Sequence, residues 1–345
     1  MLFSGLLDLP WWGYAIAALA LTHVTIVGVT LYLHRCQTHH ALELHPAVSH
    51  FLRLWLWLTT GMLTKEWVAV HRKHHAKCET PQDPHSPQVY GIHRVLWLGV
   101  VLYVKESAKP ETVDRYGRGT PDDWIERNFY SKFATYGVFV TLGLDLVVFG
   151  IVPGVLIWLT QIAWIPFLAA GVINGVGHYW GYRQWSTPDA STNIVPWGFL
   201  IGGEELHNNH HAYPTSARFS NKWYELDVGW WYVRLLSALG LATARYVPPT
   251  ARFAPPKAAV GADTLEAIIR CRYEVLARYD KMLQQPKSHA LETIHAMRHE
   301  LAALWGRSKA SREHLVAQLQ DWCRRAEASG IAPLVEFSQR LRCYA

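Results

Sequence analysis

The chain has 345 residues, half of them hydrophobic, a net charge of +6 and a mean hydropathy of only +0.01. Apolar residues must therefore be concentrated in particular segments. The positive charge does not indicate nucleic-acid binding, because no basic motif with interleaved aromatic residues accompanies it; basic residues beside a membrane explain it better.

The cysteines predict reduced thiols rather than a disulfide framework. They form no C-x-x-C pair and leave an odd one over, as expected for thiols that face a cytosol. The five are Cys36, Cys78, Cys271, Cys323 and Cys343.

Three apolar segments are predicted to cross a membrane. Residues 11–33 contain no Lys, Arg, Asp or Glu and are long enough to cross a hydrocarbon core of about 30 Å. Residues 133–177 form a second apolar stretch with a Gly/Pro turn near its middle, which predicts a pair of spans at about 133–150 and 153–175.

The basic residues predict the orientation of these spans. All 33 Lys and Arg lie in 34–132 or 178–345. The positive-inside rule then places the N-terminus outside and both charged blocks in the cytoplasm.

A further apolar segment, residues 47–64, is interpreted as an interfacial helix. It contains Arg53, and a crossing there would put residues 34–40 and 71–75 on opposite sides of the bilayer. A fourth span is the alternative.

The character of the chain changes after about residue 250. Val247-Pro248-Pro249 and Pro255-Pro256 indicate a linker. Helical spacing of apolar residues then predicts amphipathic helices at about 262–284, 289–306, 310–328 and 331–343. We therefore predict a membrane domain at 1–250 and a cytosolic helical extension at 251–345, which carries no catalytic motif and would pack on the core or on a partner.

Three histidine clusters are the most informative feature of the sequence. The second and third share the spacing H-x-x-H-H, which places three imidazoles on one helix face. In the first cluster His34 and His39 are five residues apart and cannot share a face, so one of them is expected at a helix end. The clusters are His34/His39/His40, His71/His74/His75 and His207/His210/His211.

These clusters predict a metal centre. Imidazole suits Fe, Zn, Cu and Ni, and eight or nine rings exceed what one ion can bind, so two metals are expected. Histidines outside the clusters are interpreted as ordinary packing or surface residues. They include His23, His45, His50 and His93.

In this order and spacing, the clusters resemble those of the membrane fatty acyl desaturases of the stearoyl-CoA desaturase type. Other motifs of that family accompany them over about residues 12–245: Glu66-Trp67, Asp83-Pro84-His85, the segment from Asn174 to Arg183, and Gly203-Glu204. The chain is similar in particular to bacterial fatty acid desaturases of the DesA type, which would place it in a bacterial inner membrane. The extension past about residue 250 lies outside the resemblance. Animal relatives have two spans before the first cluster, whereas the 33 residues here leave room for one.

The resemblance implies a role for each matching residue. Asn174 would reach an iron through a water, and His40 is left out because the family commonly has Arg there. Trp67, Trp180, Tyr182 and Arg183 would border the acyl tunnel or the head-group site, with interfacial anchoring as the alternative. The implied iron ligands are His34, His39, His71, His74, His75, His178, His207, His210 and His211.

The implied architecture is an all-α integral membrane protein with about three spans and an interfacial helix, capped by a cytosolic helical domain that holds a di-iron site. The implied reaction is O₂-dependent insertion of a cis double bond, at Δ9, into an acyl chain carried as acyl-CoA or phospholipid, in unsaturated fatty acid biosynthesis. An unactivated methylene has no acidity that side chains could exploit, so such a reaction needs metal and O₂. Asp83, Glu204 and Glu205 are candidates to orient the imidazoles.

Electrons would come from a separate donor such as ferredoxin with an NAD(P)H reductase. The sequence has no G-x-G-x-x-G after a strand, no C-x₄-C-x₂-C and no His-Pro-Gly-Gly of a fused cytochrome b5. Basic residues of the cytoplasmic face offer a docking surface for an acidic donor.

Two other functions stay open. A di-iron hydroxylase acting on an alkane or lipid would carry the same clusters. A membrane metal transporter or sensor would instead have polar residues within its spans, whereas the clusters lie at or beyond the span ends. A zinc protease is disfavoured, because no H-E-x-x-H occurs.

Overall fold

The computed structural model describes residues 2–283, 291–306 and 310–344, and these are mainly helical. Contacts divide the chain into two compact units, Met1–Arg183 with Asp189–Pro248 and Gln184–Pro188 with Pro249–Ala345. The helices of the first unit are α1 (Trp11–Thr38), α2 (Pro46–Thr60), α3 (Thr64–Lys77), α4 (Pro87–Tyr90), α5 (Ile92–Ser107), α6 (Pro110–Tyr116), α7 (Tyr136–Phe149), α8 (Ile151–Val176), α9 (His207–Ala212) and α10 (Val228–Ala238).

Two helices, α1 and α8, are long and apolar enough to cross a membrane, with 28 and 26 residues. Large apolar side chains such as Trp11, Ile16 and Leu156 are exposed on them, as expected where lipid replaces water. Each helix ends in a π-helical segment, Gly28–Thr38 in α1 and Pro166–Val176 in α8. Such wide turns are rare and often occur at functional sites.

Helix α7 lies where the sequence predicts the span 133–150, but it is an apolar helix of only 14 residues, fewer than a span usually needs. Gly150 follows with φ +88°, a left-handed value that glycine adopts without strain, and the chain turns there into α8. The three-span arrangement therefore stays a prediction.

Helix α2 occupies the apolar segment interpreted as interfacial. It begins at Pro46 and ends at Gly61, where φ is +65°. The charge that disfavours a span, on Arg53, is buried and paired with Asp123 and Glu126, each at 2.6 Å. The interfacial position of α2 stays a prediction.

Helices α5 and α8 cross at two glycines and form a wall beside the histidine clusters. A Cβ at Gly99 would lie 2.1 Å from the carbonyl oxygen of Ala170, and one at Gly171 would lie 2.4 Å from that of Leu96. Small residues allow two helix backbones to approach this closely.

Two pairs of very short strands complete the first unit. β1 (Leu42–Leu44) pairs antiparallel with β4 (Ala242–Ala244), and β2 (Trp197–Gly198) pairs parallel with β3 (Leu226–Asp227). The first pair joins the chain after α1 to the chain after α10.

The second unit is a helical bundle around a buried core that includes Tyr279, Trp322 and Phe337. The predicted helix 262–284 is broken at Cys271, which has φ −100° and ψ 21°, so two helices replace it. The predicted helix ends at 284 and 289 lie outside the described residues. The helices are α11 (Ala262–Arg270), α12 (Arg272–Met282), α13 (Leu291–Ala303), α14 (Arg312–Ala328) and α15 (Ala332–Leu341), with a 3₁₀ turn at Leu304–Gly306.

Replacing Gly99 by Ala should destabilise the protein by about 2 kcal/mol, because a backbone carbonyl cannot move away from the new methyl group. Thermal unfolding of the purified protein in detergent measures the effect. The matched control is Gly143→Ala in α7, where a Cβ meets no atom within 4 Å. Equal melting temperatures for the two variants would contradict the close crossing.

Candidate metal centre

The three histidine clusters lie at the end of α1, in α3 and in α9. His34 is inside the π-helical end of α1, and His39 follows its last residue. The second cluster lies on α3 and the third on the short helix α9. His178 comes two residues after α8. Four separate stretches of the chain therefore bring nine imidazoles together.

Five of these rings form a first group around one point. One nitrogen from each lies within 4.8 Å of the others; the five are His34, His39, His71, His75 and His210. Neighbouring Nε2 atoms are separated by 2.9 Å (His34 and His71), 3.2 Å (His34 and His210) and 2.9 Å (His75 and His210). Two nitrogens bound at about 2.1 Å to the same ion, at right angles, would be about 3 Å apart.

Hydrogen bonds between neutral rings cannot satisfy this group. The Nδ1–H of His34 donates to Glu204 Oε1 at 2.7 Å, so its Nε2 has only a lone pair. The Nε2 of His71 has three such neighbours, at 2.9, 3.1 and 3.1 Å, and a single hydrogen can serve one of them. A cation at the centre would accept all the lone pairs, so this donor set fits a metal ion.

The other four rings form a second group. The Nε2 of His178 lies 3.1 Å from that of His74 and 3.0 Å from that of His207. His211 belongs to the same group, and its buried Nε2 has no hydrogen-bond partner among the described residues. Ligand atoms of His74, His178, His211 and Cys78 lie within 4.8 Å of one another, and His207 joins them through its 3.0 Å spacing to His178. The nine histidines therefore divide into two sets, and each set contains a group of side chains that could hold a metal ion.

Carboxylates hold the far side of several rings. Asp83 accepts from Nδ1 of His74 at 3.0 Å, and Asp189 accepts from Nδ1 of His211 at 3.1 Å. Glu79 lies 3.4 Å from Nδ1 of His178. Such contacts turn the other nitrogen of each ring toward a metal.

Of the three carboxylates expected to orient imidazoles, Asp83 and Glu204 contact a ring and Glu205 does not. The carboxylate of Glu205 instead accepts three backbone N–H groups of the loop before α9. These contacts hold the loop, and a role of Glu205 in orienting a ring stays a prediction. The donors are Leu200, Ile201 and Gly203.

Four residues near the rings were not predicted from the sequence. Glu79 and Asp189 reach their histidines only through loop conformation, and no spacing indicates it. The Sγ of Cys78 lies 4.0 Å from His74 Nε2, and the ring of His85 packs 4.4 Å from that of His74. The motif Asp-Pro-His could have indicated that His85 lies near the site.

Burial and mutual repulsion favour the neutral form of several of these rings. Burial, followed by the charges of neighbouring histidines, lowers the pKa of His71, His75 and His210 well below the usual value. Burial alone would raise the pKa of Asp83, but the His74 ring lowers it below its usual range. Neutral imidazoles and an ionised carboxylate are the forms that metal binding requires.

A cavity of about 320 Å³ opens beside both groups. His71 and His207 form part of its wall, and most of the rest is apolar. Asn174 and Trp67 also line it, and Trp67 stacks on His71 with ring centres 5.1 Å apart. The cavity would hold an alkyl chain against the metal centre.

The other three residues expected at the substrate do not line this cavity. Trp180 is 65% exposed. The hydroxyl of Tyr182 donates to Glu225 at 2.9 Å. Arg183 donates to the carbonyl oxygens of Asp189 and Ser191, so it braces the loop that brings Asp189 to His211.

The sequence of this chain is similar to those of known proteins. The fatty acid desaturase family model matches residues 9–248. Delta-9 acyl-lipid desaturase 1 of Arabidopsis thaliana is 31% identical over 248 residues, 69% of this chain and 76% of the relative. The sn-1 stearoyl-lipid 9-desaturase of Anabaena variabilis is 33% identical over 244 residues, 68% and 85% of the two chains. An acyl-CoA C20 Delta5-desaturase of Anemone leveillei is 32% identical over 232 residues, 65% and 70%.

The matched region contains all nine clustered histidines and the cavity beside them. A family model that covers 9–248 spans well over half of the chain. The chain therefore belongs to the fatty acid desaturase family and is an oxidoreductase of lipid metabolism.

Proposed function

We propose that this desaturase binds two irons and uses O₂ to place a cis double bond, at Δ9, in a saturated fatty acyl chain. The observation that carries the proposal is the pair of imidazole groups facing one apolar cavity. The family is iron-dependent, and imidazole is a suitable ligand for iron. Two relatives whose names specify position 9 support the regiochemistry.

The chain's own residues would perform three tasks in this reaction. Bound iron and O₂ supply an oxidant strong enough for an unactivated C–H bond. The carboxylates of Asp83, Asp189 and Glu204 hold the ligand rings in place. Apolar residues such as Val70 and Ile173 exclude water and keep one part of the alkyl chain beside the rings.

The membrane arrangement follows the same proposal. We infer an integral membrane protein with spans near α1, α7 and α8, and with the histidine clusters and C-terminus on the cytoplasmic side. The apolar exposed surfaces of α1 and α8 support it. The acyl chain would be carried as acyl-CoA or as phospholipid, since the names of the relatives include both an acyl-lipid and an acyl-CoA desaturase.

A separate electron donor, ferredoxin or a protein like it, would dock near the first group. Arg72 follows His71 on α3 and donates to Nε2 of His40, so a basic and a titratable side chain lie together at this surface. An acidic donor would be attracted there.

Expression in a host that lacks desaturases, followed by fatty acid profiling of each lipid class, tests the proposed reaction. The wild-type chain should yield a cis monoene and bind about two irons per chain. His74→Ala and His210→Ala should each abolish the monoene and lower the iron content, since each removes a ligand from a different group.

The matched control is His93→Ala, an exposed histidine of α5 that belongs to neither group. It should keep both product and iron. A secondary alcohol in place of the alkene would favour the hydroxylase, and an active His74→Ala variant would remove that residue from the ligand set.

Asp83→Asn should weaken iron binding by about tenfold to a hundredfold, because the amide replaces the charge that orients the His74 ring. Iron content after equilibration with a graded series of chelators measures this. Asp114→Asn, at an exposed carboxylate of α6, is the control. An unchanged chelator midpoint for Asp83→Asn would contradict the role of this contact.

Turnover with a reduced ferredoxin should fall as ionic strength rises, because salt screens the attraction between the donor and the surface around Arg72. The rate with a small uncharged reductant serves as the reference. Rates with ferredoxin that stay constant from low to physiological salt would count against the docking surface.

A further inference from the structure

One hydroxyl group in the cavity wall is buried and has no hydrogen-bond partner among the described residues. It belongs to Tyr103 of α5. Two other polar side chains of the wall are paired: Gln161 donates to Asp145, and Thr60 donates to a backbone carbonyl oxygen. The other hydrogen-bonding atom of the wall that is buried without a partner among the described residues and lies outside the nine clustered histidines is Nε2 of His85. A phenol left unpaired in an apolar cavity is destabilising unless a ligand supplies an acceptor.

The surroundings of Tyr103 form one polar spot on the wall. Burial, with a smaller contribution from Glu66, raises the pKa of the Tyr103 phenol, so it stays a hydrogen-bond donor at neutral pH. Glu66 also lines the cavity, and burial raises the pKa of its carboxyl group. Between this spot and the histidines the wall is apolar, with Val70 and Val100.

The polar spot is separated from the histidines by a stretch of helix. Glu66 precedes His71 by five residues of α3, about 7.5 Å along the helix axis, a distance that spans several methylenes. The wall also includes Ser107, next to Glu106, whose carboxylate pairs with Lys73 and Lys109.

A saturated acyl chain has one strong hydrogen-bond acceptor, its carbonyl oxygen, and the unpaired Tyr103 hydroxyl is a donor in the cavity wall. Resting on the proposed function, we propose that the Tyr103 hydroxyl donates a hydrogen bond to this carbonyl oxygen, of a thioester or a glycerolipid ester. The contact anchors the chain at a fixed number of carbons from the irons and thereby sets the position of the double bond.

Tyr103→Phe removes only the hydroxyl and tests the contact. We expect KM to rise about fivefold, as for the loss of one hydrogen bond, and positional isomers to accompany the main product. Iron content should not change. The matched control, Tyr136→Phe at an exposed phenol of α7, should keep the wild-type KM and a single isomer.

A second measurement separates a direct contact from a general disturbance of the cavity. Wild-type and Tyr103→Phe enzymes are each given a stearoyl thioester, a stearoyl phospholipid and the matching alkyl-ether phospholipid, which lacks the carbonyl. If the wild-type enzyme desaturates the phospholipid, the carbonyl belongs to a glycerolipid ester; if it desaturates the thioester, the carbonyl belongs to the thioester. The ether chain should give mixed isomers with the wild-type enzyme, and Tyr103→Phe should cause no further change with it.

An unchanged isomer pattern and KM in Tyr103→Phe would overturn the inference, as would an ether chain desaturated at one position by the wild-type enzyme. Failure of the proposed function gives a different result, since the wild-type chain would then form no double bond from any of these substrates.

Discussion

The crowding of nine imidazoles in one buried space is the constraint on which the structure depends. Nitrogen atoms about 3 Å apart, several of them with only lone pairs to present, repel one another unless a cation lies between them. Desolvation lowers the pKa of rings such as His71 and His210, so protonation at these rings does not relieve the repulsion at neutral pH. The proposed metal binding would therefore be coupled to the folding of this region.

The histidines come from several separate helices rather than from one continuous element. The last turns of α1, the middle of α3 and the short helix α9 approach from different directions, and loops deliver the carboxylates that hold the rings. Because α5 and α8 cross backbone to backbone, the wall of the cavity ends beside the rings. Substrate position and metal position are thus set by the same helices.

Local patterns predicted the elements of this arrangement better than its contacts. The H-x-x-H-H spacing predicted clusters on helix faces, and α3 and α9 carry them. The apolar runs predicted the start of α1 and, to within two residues, both ends of α8, whereas α1 continues to Thr38, beyond its predicted end at residue 33. The contacts of Glu79, Asp189 and Glu205 depend on loop conformation, which has no periodic signal. Tyr182 and Arg183 were assigned to the substrate because of their position in a motif, whereas their hydrogen bonds brace a loop.

The π-helical ends of α1 and α8 have a consequence for how this site tolerates change. A residue inserted into or deleted from a helix rotates everything beyond it by about 100°. His34 lies within one such segment, and Asn174 lies within the other. The direction of both side chains therefore depends on the number of residues in these wide turns. We expect insertions and deletions in these segments to be tolerated less well than substitutions at the positions that face lipid.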